Sequence, residues 1–367
     1  MEIRTYNSAQ LHDLIMSDSY KQMPVIPIST HRAISHIHNP RTDKEDILMT
    51  IAYENEEMIG YLGVLADRIY TLKGEPLKCG WLSCMWVNPT LRGKGIAKQL
   101  LATVFKTWND HILVTEFTPE AKGLYDRSGN FTDLRINEGL RCYIRFNLRE
   151  VLPKKNDKYK SYTQILKVLD SIANIPVDLR LSLMKTKQVS SLQFVSVTGI
   201  DNTLDEYIQS KQVNQFERRG ADELNWIINY PWLKESQPTD ESRRYHFSSV
   251  AHRFQNLCFK LIDKGETKGY LHLTIRDNHL KIPYAYFEPE CMPDIVQYVY
   301  QVMQEYRLNM LTVFHPDLVA FFKSNTTPFI YRRAIRRNYI ITKALASHFS
   351  EKEKLMIQDG DADCVFT

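Results

Sequence analysis

The chain has 367 residues, 43% of them hydrophobic and 25% charged, which is typical of a soluble globular protein with room for two or three domains. Its formal net charge of +4 is small for this length and gives no argument for nucleic acid as a partner. We see no secretory signal, no apolar run long enough for a membrane span and no C-x-x-C pair among the six cysteines, so we expect a reduced cytoplasmic protein without membrane contact, disulfides or bound metal.

The first 150 residues predict a mixed α/β domain. The predicted elements are a strand at 2–5, a helix at 8–17, an irregular stretch at 18–45, strands at 47–53, 58–66 and 77–87, a helix at 94–108, a strand at 112–117, a helix at 119–128 and strands up to about 148. The irregular stretch contains His31, His36 and His38, whose spacing favours a solvated loop over a metal site.

The second half repeats this order of elements. After a polar linker, the predicted elements are a helix at 161–188 that breaks at Pro176, a helix at 204–228, strands at 254–263, 268–276 and 279–287, a helix at 293–306, a strand at 310–314, a helix at 316–323 and strands at 328–344. The repeated succession indicates an internal duplication. We therefore predict domains at 1–150 and 191–345, a linker with a helix at 151–190 and an acidic tail at 346–367.

The segment from Trp86 to Leu101 combines a strand end, a proline turn, a glycine-containing loop and an amphipathic helix. The first N–H groups of a helix have no partner within the helix, and the helix dipole gives that end a partial positive charge. Gly93 and Gly95 let an anion approach the backbone closely, and Arg92 and Lys94 add formal positive charge. The loop therefore suits a pyrophosphate.

Arg92 to Ala97 resembles the Arg/Gln-x-x-Gly-x-Gly/Ala loop of the GCN5-related N-acetyltransferases (GNAT). The resemblance covers about residues 1–148 and implies two GNAT-like mixed-sheet domains in tandem, the second without a coenzyme A (CoA) loop. It implies that acetyl-CoA is the acyl donor, held by the loop and by the end of the preceding strand. The implied binding residues are Met85, Trp86, Val87, Arg92, Gly93, Lys94, Gly95, Ile96, Ala97 and Lys98.

The same resemblance implies direct attack of a primary amine on the thioester. The helix with Tyr125 resembles the family's Tyr-x-x-x-Gly-Phe segment, with Asn130 as an extra residue before Phe131. It implies that Tyr125 protonates the departing thiolate and that the Val87 backbone N–H stabilises the oxyanion. A Tyr125 that only packs against the cofactor is the alternative.

The general base is less well marked, because the strand before the loop carries no Asp or Glu. Ser83 is a candidate for ordering a water molecule, and Glu116 is a candidate activating group or an ordinary strand end. Cys84 is expected to be a small core residue. In one multidomain branch of the superfamily the terminal carboxylate reaches the acetyl site, so Thr367 is a further candidate, with a frayed terminus as the alternative.

The second half has no glycine at the corresponding position, Phe287 to Pro293, which carries two carboxylates instead. We expect this half not to bind CoA. Two other functions remain open, a Fem-type aminoacyl transferase and a non-catalytic acyl-CoA-binding protein. The acceptor is expected to be a small-molecule or sugar amine, with protein amines also open, and the sequence assigns no oligomeric state.

Overall fold

The computed structural model describes residues 1–183, 191–349 and 355–366. The strands are β1 (Glu2–Tyr6), β2 (Met49–Glu54), β3 (Glu57–Tyr70), β4 (Pro76–Val87), β5 (Ile112–Thr115), β6 (Phe131–Tyr143), β7 (Gln193–Val197), β8 (Lys234–Glu235), β9 (Val250–Ala251), β10 (Phe254–Asp263), β11 (Glu266–Arg276), β12 (His279–Phe287), β13 (Met310–Val313) and β14 (Tyr331–Thr342). The helices are α1 (Ser8–Met16), α2 (Asp18–Gln22), α3 (Thr30–Ile37), α4 (Ile96–Thr107), α5 (Pro119–Ser128), α6 (Leu148–Lys155), α7 (Thr163–Leu183), α8 (Asn202–Ser210), α9 (Ala221–Asn229), α10 (Asp240–Arg244), α11 (Met292–Glu305), α12 (Pro316–Ser324) and α13 (Lys343–Ala346).

The fold is the expected mixed α/β class, and its residues form two compact units. The first unit consists of residues 1–137, 197–254 and 336–367, and the second consists of 138–196 and 255–335. These units differ from the predicted domain boundaries at 150, 190 and 345, because segments distant in sequence pair with the first 137 residues. Local sequence patterns do not report such pairing.

The first unit contains a sheet in the order β1-β2-β3-β4-β5-β14-β6. Neighbouring strands run antiparallel from β1 to β4, β4 and β5 are parallel, and β5 and β14 are antiparallel. Helix α4 buries one face in the core of this unit. The buried residues of this face are Ile96, Leu100, Leu101, Val104 and Phe105, which confirms the helical spacing read from the sequence.

The second unit has the strand order β6-β13-β12-β11-β10-β7. Strands β12 and β13 are parallel, and β13 pairs antiparallel with β6. In the first unit, β4 and β5 are likewise parallel, and β5 pairs antiparallel with β14. Each unit thus pairs its short parallel strand with the last strand of the other half of the sequence. This arrangement supports an internal duplication, which stays a prediction.

Three local predictions were wrong. Residues 18–45 contain two helices, α2 and α3, and Ser17 caps the first of them by accepting a hydrogen bond from the Tyr20 N–H. The helix predicted at 204–228 is two helices, because Phe216 between them donates its N–H to the carbonyl of Met356 at 2.8 Å.

Helix α7 runs through Pro176 to Leu183, where a break was expected. Val177 and Leu181 beyond the proline are buried, so their packing outweighs the cost of the missing hydrogen bond. The rest of that prediction, residues 184–188, lies outside the described residues. Within the described ranges, no helix combines the length and the apolar character needed to cross a membrane.

Candidate active site

Strands β4 and β5 of the first unit separate soon after they meet. Their parallel register consists of Gly80 with Ile112 and Trp81 with Leu113. The end of β4 therefore continues beyond its pairing with β5 and keeps its other edge on β3, where Val87 lies opposite Gly60. A diverging pair of parallel strands leaves backbone N–H and C=O groups that an extended ligand can pair with.

A β-bulge redirects the end of β4. The β3–β4 register shifts between Tyr61 and Gly63, and Cys84 on the opposing strand has the left-handed φ of 57°. A left-handed cysteine is an unusual backbone state, and such states often lie at functional sites. Met85, Trp86 and Val87 follow the bulge and are each partly exposed.

The loop after β4 presents an uncapped helix N-terminus. Gly93 and Gly95 have φ of 87° and 80°, and a Cβ built on either glycine meets no atom within 4 Å. Gly95 is the N-cap of α4 and provides no side chain, and the first i to i−4 hydrogen bond recorded there is from the Gln99 N–H to the Gly95 carbonyl at 3.1 Å. The N–H groups of Ile96, Ala97 and Lys98 precede it. Open space, a helix N-terminus and exposed Arg92 and Lys94 together make an arrangement that suits an anion.

Comparison with protein families matches residues 10–129 to the acetyltransferase (GNAT) family. The chain carries a GNAT domain. A GCN5-related N-acetyltransferase from Anabaena variabilis is a structural match with a TM-score of 0.51 and 13% identity, covering 92% of this chain and 72% of that one. A protein from Enterococcus faecalis described as a probable N-acyltransferase matches with a TM-score of 0.52 and 10% identity, covering 94% and 73%. Comparison with curated proteins gives no match.

Tyr125 of the GNAT domain lies on α5, which Thr118 caps by accepting a hydrogen bond from the Ala121 N–H. Its ring packs against Phe117 and Phe131, with centroids 6.0 and 5.2 Å away. The side chain is 3% exposed, and burial raises the pKa of the phenol. Tyr125 therefore keeps its proton at neutral pH.

A buried guanidinium lies at the bulge. Arg32 donates from Nη1 to the Cys84 Sγ at 2.7 Å and to the Tyr245 Oη at 3.1 Å, and from Nη2 to the Ser83 Oγ at 2.5 Å. Its Cζ is 3.7 Å from the centroid of the Trp232 ring, which adds a cation–π contact. Burial raises the pKa of the Cys84 thiol, although Arg32 opposes this effect. The thiol thus stays protonated and takes part in a polar cluster, whereas the sequence predicted a plain core residue.

The C-terminal tail brings a carboxylate to this cluster. Ser83 donates from Oγ to the Asp363 Oδ2 at 2.5 Å. Burial raises the pKa of Asp363, and the nearby Arg32 partly offsets this effect. A carboxylate with a raised pKa is a stronger base than an exposed one, so Asp363 is a candidate general base.

The tail is packed into the first unit along its described length. The Asn137 Nδ2 donates to the carbonyl of Ile357 at 3.1 Å, and Arg337 donates to the Asp359 carboxylate at 2.7 Å. Phe366 is 1% exposed and stacks on Trp232 with ring centroids 4.4 Å apart. The tail is therefore an internal part of the unit and not a frayed end.

The sequence-predicted catalytic residues have different surroundings. Glu116 has a φ of 52° and forms an ion pair with Arg337, whose Nε lies 3.0 Å from the Glu116 Oε1. This ion pair occupies one of the oxygens of the Glu116 carboxylate. Thr367 lies outside the described residues. Sequence reasoning missed Arg32 and Asp363, because nothing local indicates that either contacts Ser83.

The histidines of the N-terminal segment are also better ordered than expected. The His31 Nε2 lies 2.5 Å from the carbonyl oxygen of Trp232, and His36 stacks on the ring of the same tryptophan. His38 stacks on Tyr230 with centroids 4.7 Å apart. These rings pack the segment that carries Arg32. Among the described residues, no group of three or more His, Cys, Asp or Glu has an arrangement that could hold a metal ion.

A buried ionic cluster holds the tail two residues before Asp363. Its members are Arg41, Asp67, Glu217, Arg219, Glu223 and Asp361. The Glu217 carboxylate accepts a hydrogen bond from the Ala362 N–H at 3.0 Å. Four carboxylates face two guanidinium groups, so full ionisation leaves a buried excess of negative charge. Burial raises the pKa of Asp361 to about 7 and raises the pKa of Glu217 well above its ordinary value.

We expect Asp361→Asn to stabilise the protein at pH 8. Folded Asp361 has a pKa of about 7, against an ordinary value near 3.8, so the folded state keeps a proton that the unfolded state releases. The free energy of unfolding therefore falls as the pH rises from about 4 to about 7, and the amide removes this loss. The gain at pH 8 should exceed the gain at pH 4 by roughly 4 kcal/mol, measured by thermal or urea unfolding at both pH values.

Asp359→Asn is the matched control in the same tail. It removes a hydrogen-bonded carboxylate from the buried Arg337 and should lower stability at pH 8. If Asp361→Asn gave no greater gain at pH 8 than at pH 4, the proposed protonation of this cluster would be wrong.

Proposed function

We propose that this chain is an acetyl-CoA-dependent N-acetyltransferase that acts on a primary amine of a small molecule or sugar. The observation that carries the proposal is the uncapped N-terminus of α4, reached through two left-handed glycines with open space around them. This turn is suited to the CoA pyrophosphate. The separated end of β4, from Met85 to Val87, is suited to the pantetheine arm.

The proposed reaction assigns roles to Val87, Tyr125, Ser83 and Asp363. The amine nitrogen attacks the thioester carbon, the new C–N bond forms, and the C–S bond breaks as the thiolate leaves. The Val87 N–H stabilises the oxyanion, and Tyr125 gives its proton to the thiolate. The amine proton passes to Asp363, directly or through the Ser83 hydroxyl that already donates to it. Solvent then returns both residues to their starting protonation states.

Aromatic side chains near the end of β4 favour an acceptor with a flat or ring-shaped face. Trp86 stacks on His246 and on Tyr61, with centroids 4.9 and 5.6 Å away, and Phe247 packs on the edge of Tyr61. Trp86 is partly exposed, which leaves part of this aromatic group open to a ligand. Sugar and aromatic amines are therefore the first acceptors to test.

The test is release of free CoA thiol from acetyl-CoA in the presence of an amine panel. At least one amine should support turnover, and Tyr125→Phe should lower kcat about 10- to 100-fold because the thiolate then leaves without its proton donor. The Kd for CoA, measured by calorimetry, should stay within about twofold, since the phenylalanine ring keeps the packing against Phe117 and Phe131.

Phe131→Tyr is a matched control, because it changes a packed ring next to Tyr125 and adds a hydroxyl at a position other than that of the proposed proton donor. Binding of CoA without turnover on any amine would instead indicate a non-catalytic acyl-CoA-binding protein. Failure to bind CoA, together with transfer from aminoacyl-tRNA, would indicate a Fem-type enzyme.

A further inference from the structure

Helix α7 of the second unit is apolar on two opposite faces. Leu166, Val177 and Leu181 are buried, with exposed fractions of 6, 8 and 1%. On the other side, seven large apolar residues each expose 46–72% of their surface. These seven, which we call the α7 stripe, are Ile165, Val168, Leu169, Ile172, Ile175, Leu179 and Leu183.

The spacing of the α7 stripe is that of a helix-packing seam. Successive members lie one, three or four residues apart, and at about 100° per residue they fall within an arc of roughly 120°. The buried residues of α7 lie on the opposite side of this arc. An apolar stripe at three- and four-residue steps is what one helix presents to another, with side chains interlocking along the contact.

The stripe is large enough for a stable interface. Seven apolar side chains at these exposures offer roughly 700 Å² of apolar surface, compared with about 800 Å² per partner in an interface of standard size. The largest apolar patch on a typical monomer is roughly 300–600 Å². An unpaired stripe of this size would be costly in water.

Three charged residues of α7 lie outside the stripe and have partners within the second unit. Asp170 accepts hydrogen bonds from the N–H groups of Leu148 and Arg149, and Asp178 pairs with the Arg145 Nε at 2.6 Å. Arg180 donates to the carbonyl of Pro328. The remaining charged residue, Lys167, is exposed and also lies outside the stripe. Over the described residues of α7, the edges of the stripe therefore lack the rows of Lys and Arg that surface helices use to bind anionic membranes.

We propose that two copies of this chain associate through the α7 stripe, with α7 packed against its equivalent across a two-fold axis. Two identical uncharged stripes are complementary to each other without any charge clash, which is the requirement for a two-fold interface. The stripe lies on residues that have no role in the acyl-transfer reaction, so this inference is independent of the proposed function.

The test is sedimentation velocity and light scattering of the full chain at about 1–100 µM, a range that brackets typical dimer affinities. The wild-type chain should be a dimer, and Ile172→Glu should weaken the dimer at least about 100-fold, because a carboxylate is buried without a partner at the centre of the stripe. Ser171→Glu, next to it on the same exposed helix, is the matched control and should keep the dimer. Circular dichroism should show that both variants are folded.

Cross-linking gives a second measurement. Ile172→Cys should form a disulfide-linked dimer on mild oxidation, whereas Ser171→Cys should not. Of these two positions, only residue 172 faces the two-fold axis of the proposed dimer. A monomeric wild type at 100 µM would overturn the proposal, as would a dimer that Ile172→Glu leaves intact. A monomer that binds anionic vesicles through the stripe would also overturn it and assign a membrane contact instead.

Discussion

Gly95→Val is expected to raise the Kd for CoA about 100-fold. Gly95 has a φ of 80° and is the residue from which α4 starts. A β-branched side chain at such a φ is strained by roughly 1–2 kcal/mol or more, so the loop would turn the residue out of this conformation. The N–H groups of Ile96, Ala97 and Lys98 would then no longer converge on one anion, and the loss of two charge-assisted hydrogen bonds accounts for this change. Isothermal titration calorimetry with CoA measures it.

Gly265→Val is the matched control. Gly265 has a φ of 84° in the turn between β10 and β11 of the second unit, and a Cβ there also meets no atom within 4 Å. It should lower stability by a similar amount, whereas its Kd for CoA should stay within about twofold of wild type. Equal CoA binding by Gly95→Val and the wild type would contradict the assignment of this loop.

Asp363→Asn is expected to lower kcat about 100-fold while CoA still binds. The amide cannot accept the amine proton, and general-base catalysis commonly contributes about 100-fold or more. In the wild type, the raised pKa of Asp363 should appear as an acid limb in the pH profile of kcat/KM, where activity rises as the carboxyl ionises. The variant should lose this limb, since asparagine does not titrate. Ser83→Ala should also lower kcat, because it removes the hydroxyl that donates to Asp363.

Glu116→Gln is the control for this experiment, because Glu116 is the other carboxylate that the sequence suggested as an activating group. It pairs with Arg337, so its loss should lower stability more than kcat. The reverse result, with a large loss of kcat in Glu116→Gln and none in Asp363→Asn, would assign the base to Glu116. Thermal unfolding of each variant separates catalytic effects from loss of the tail.

Local patterns predicted most of the GNAT domain. Strand β4, helix α4 and helix α5 lie within two residues of their predicted bounds, because each has its own apolar spacing and its own turn or cap residues. The glycine loop between β4 and α4 was predictable for the same reason, and Gly93 and Gly95 both have a left-handed φ there. Its binding of a pyrophosphate stays a prediction. The internal duplication and the cytoplasmic location stay predictions.

The C-terminal tail makes contacts that local sequence patterns do not predict. The resemblance to one multidomain branch of the superfamily made the terminal carboxylate of Thr367 a candidate, with a frayed terminus as the alternative. The structure brings the Asp363 side chain to Ser83, a contact between residues 280 apart in sequence. Arg32 and Tyr245 join the same cluster from two further segments. A polar residue in each segment looks like an ordinary surface residue until packing removes it from water.

The sequence by itself therefore determined the mixed α/β class, the order of elements and the loop that suits a pyrophosphate, because these depend on residues within about one helical turn of each other. Only the tertiary structure decided which carboxylate meets Ser83, which segments form each compact unit and which face of α7 stays exposed. These outcomes depend on pairing between distant segments, and the free energy of such pairing comes from burial and complementary charge that no single segment contains.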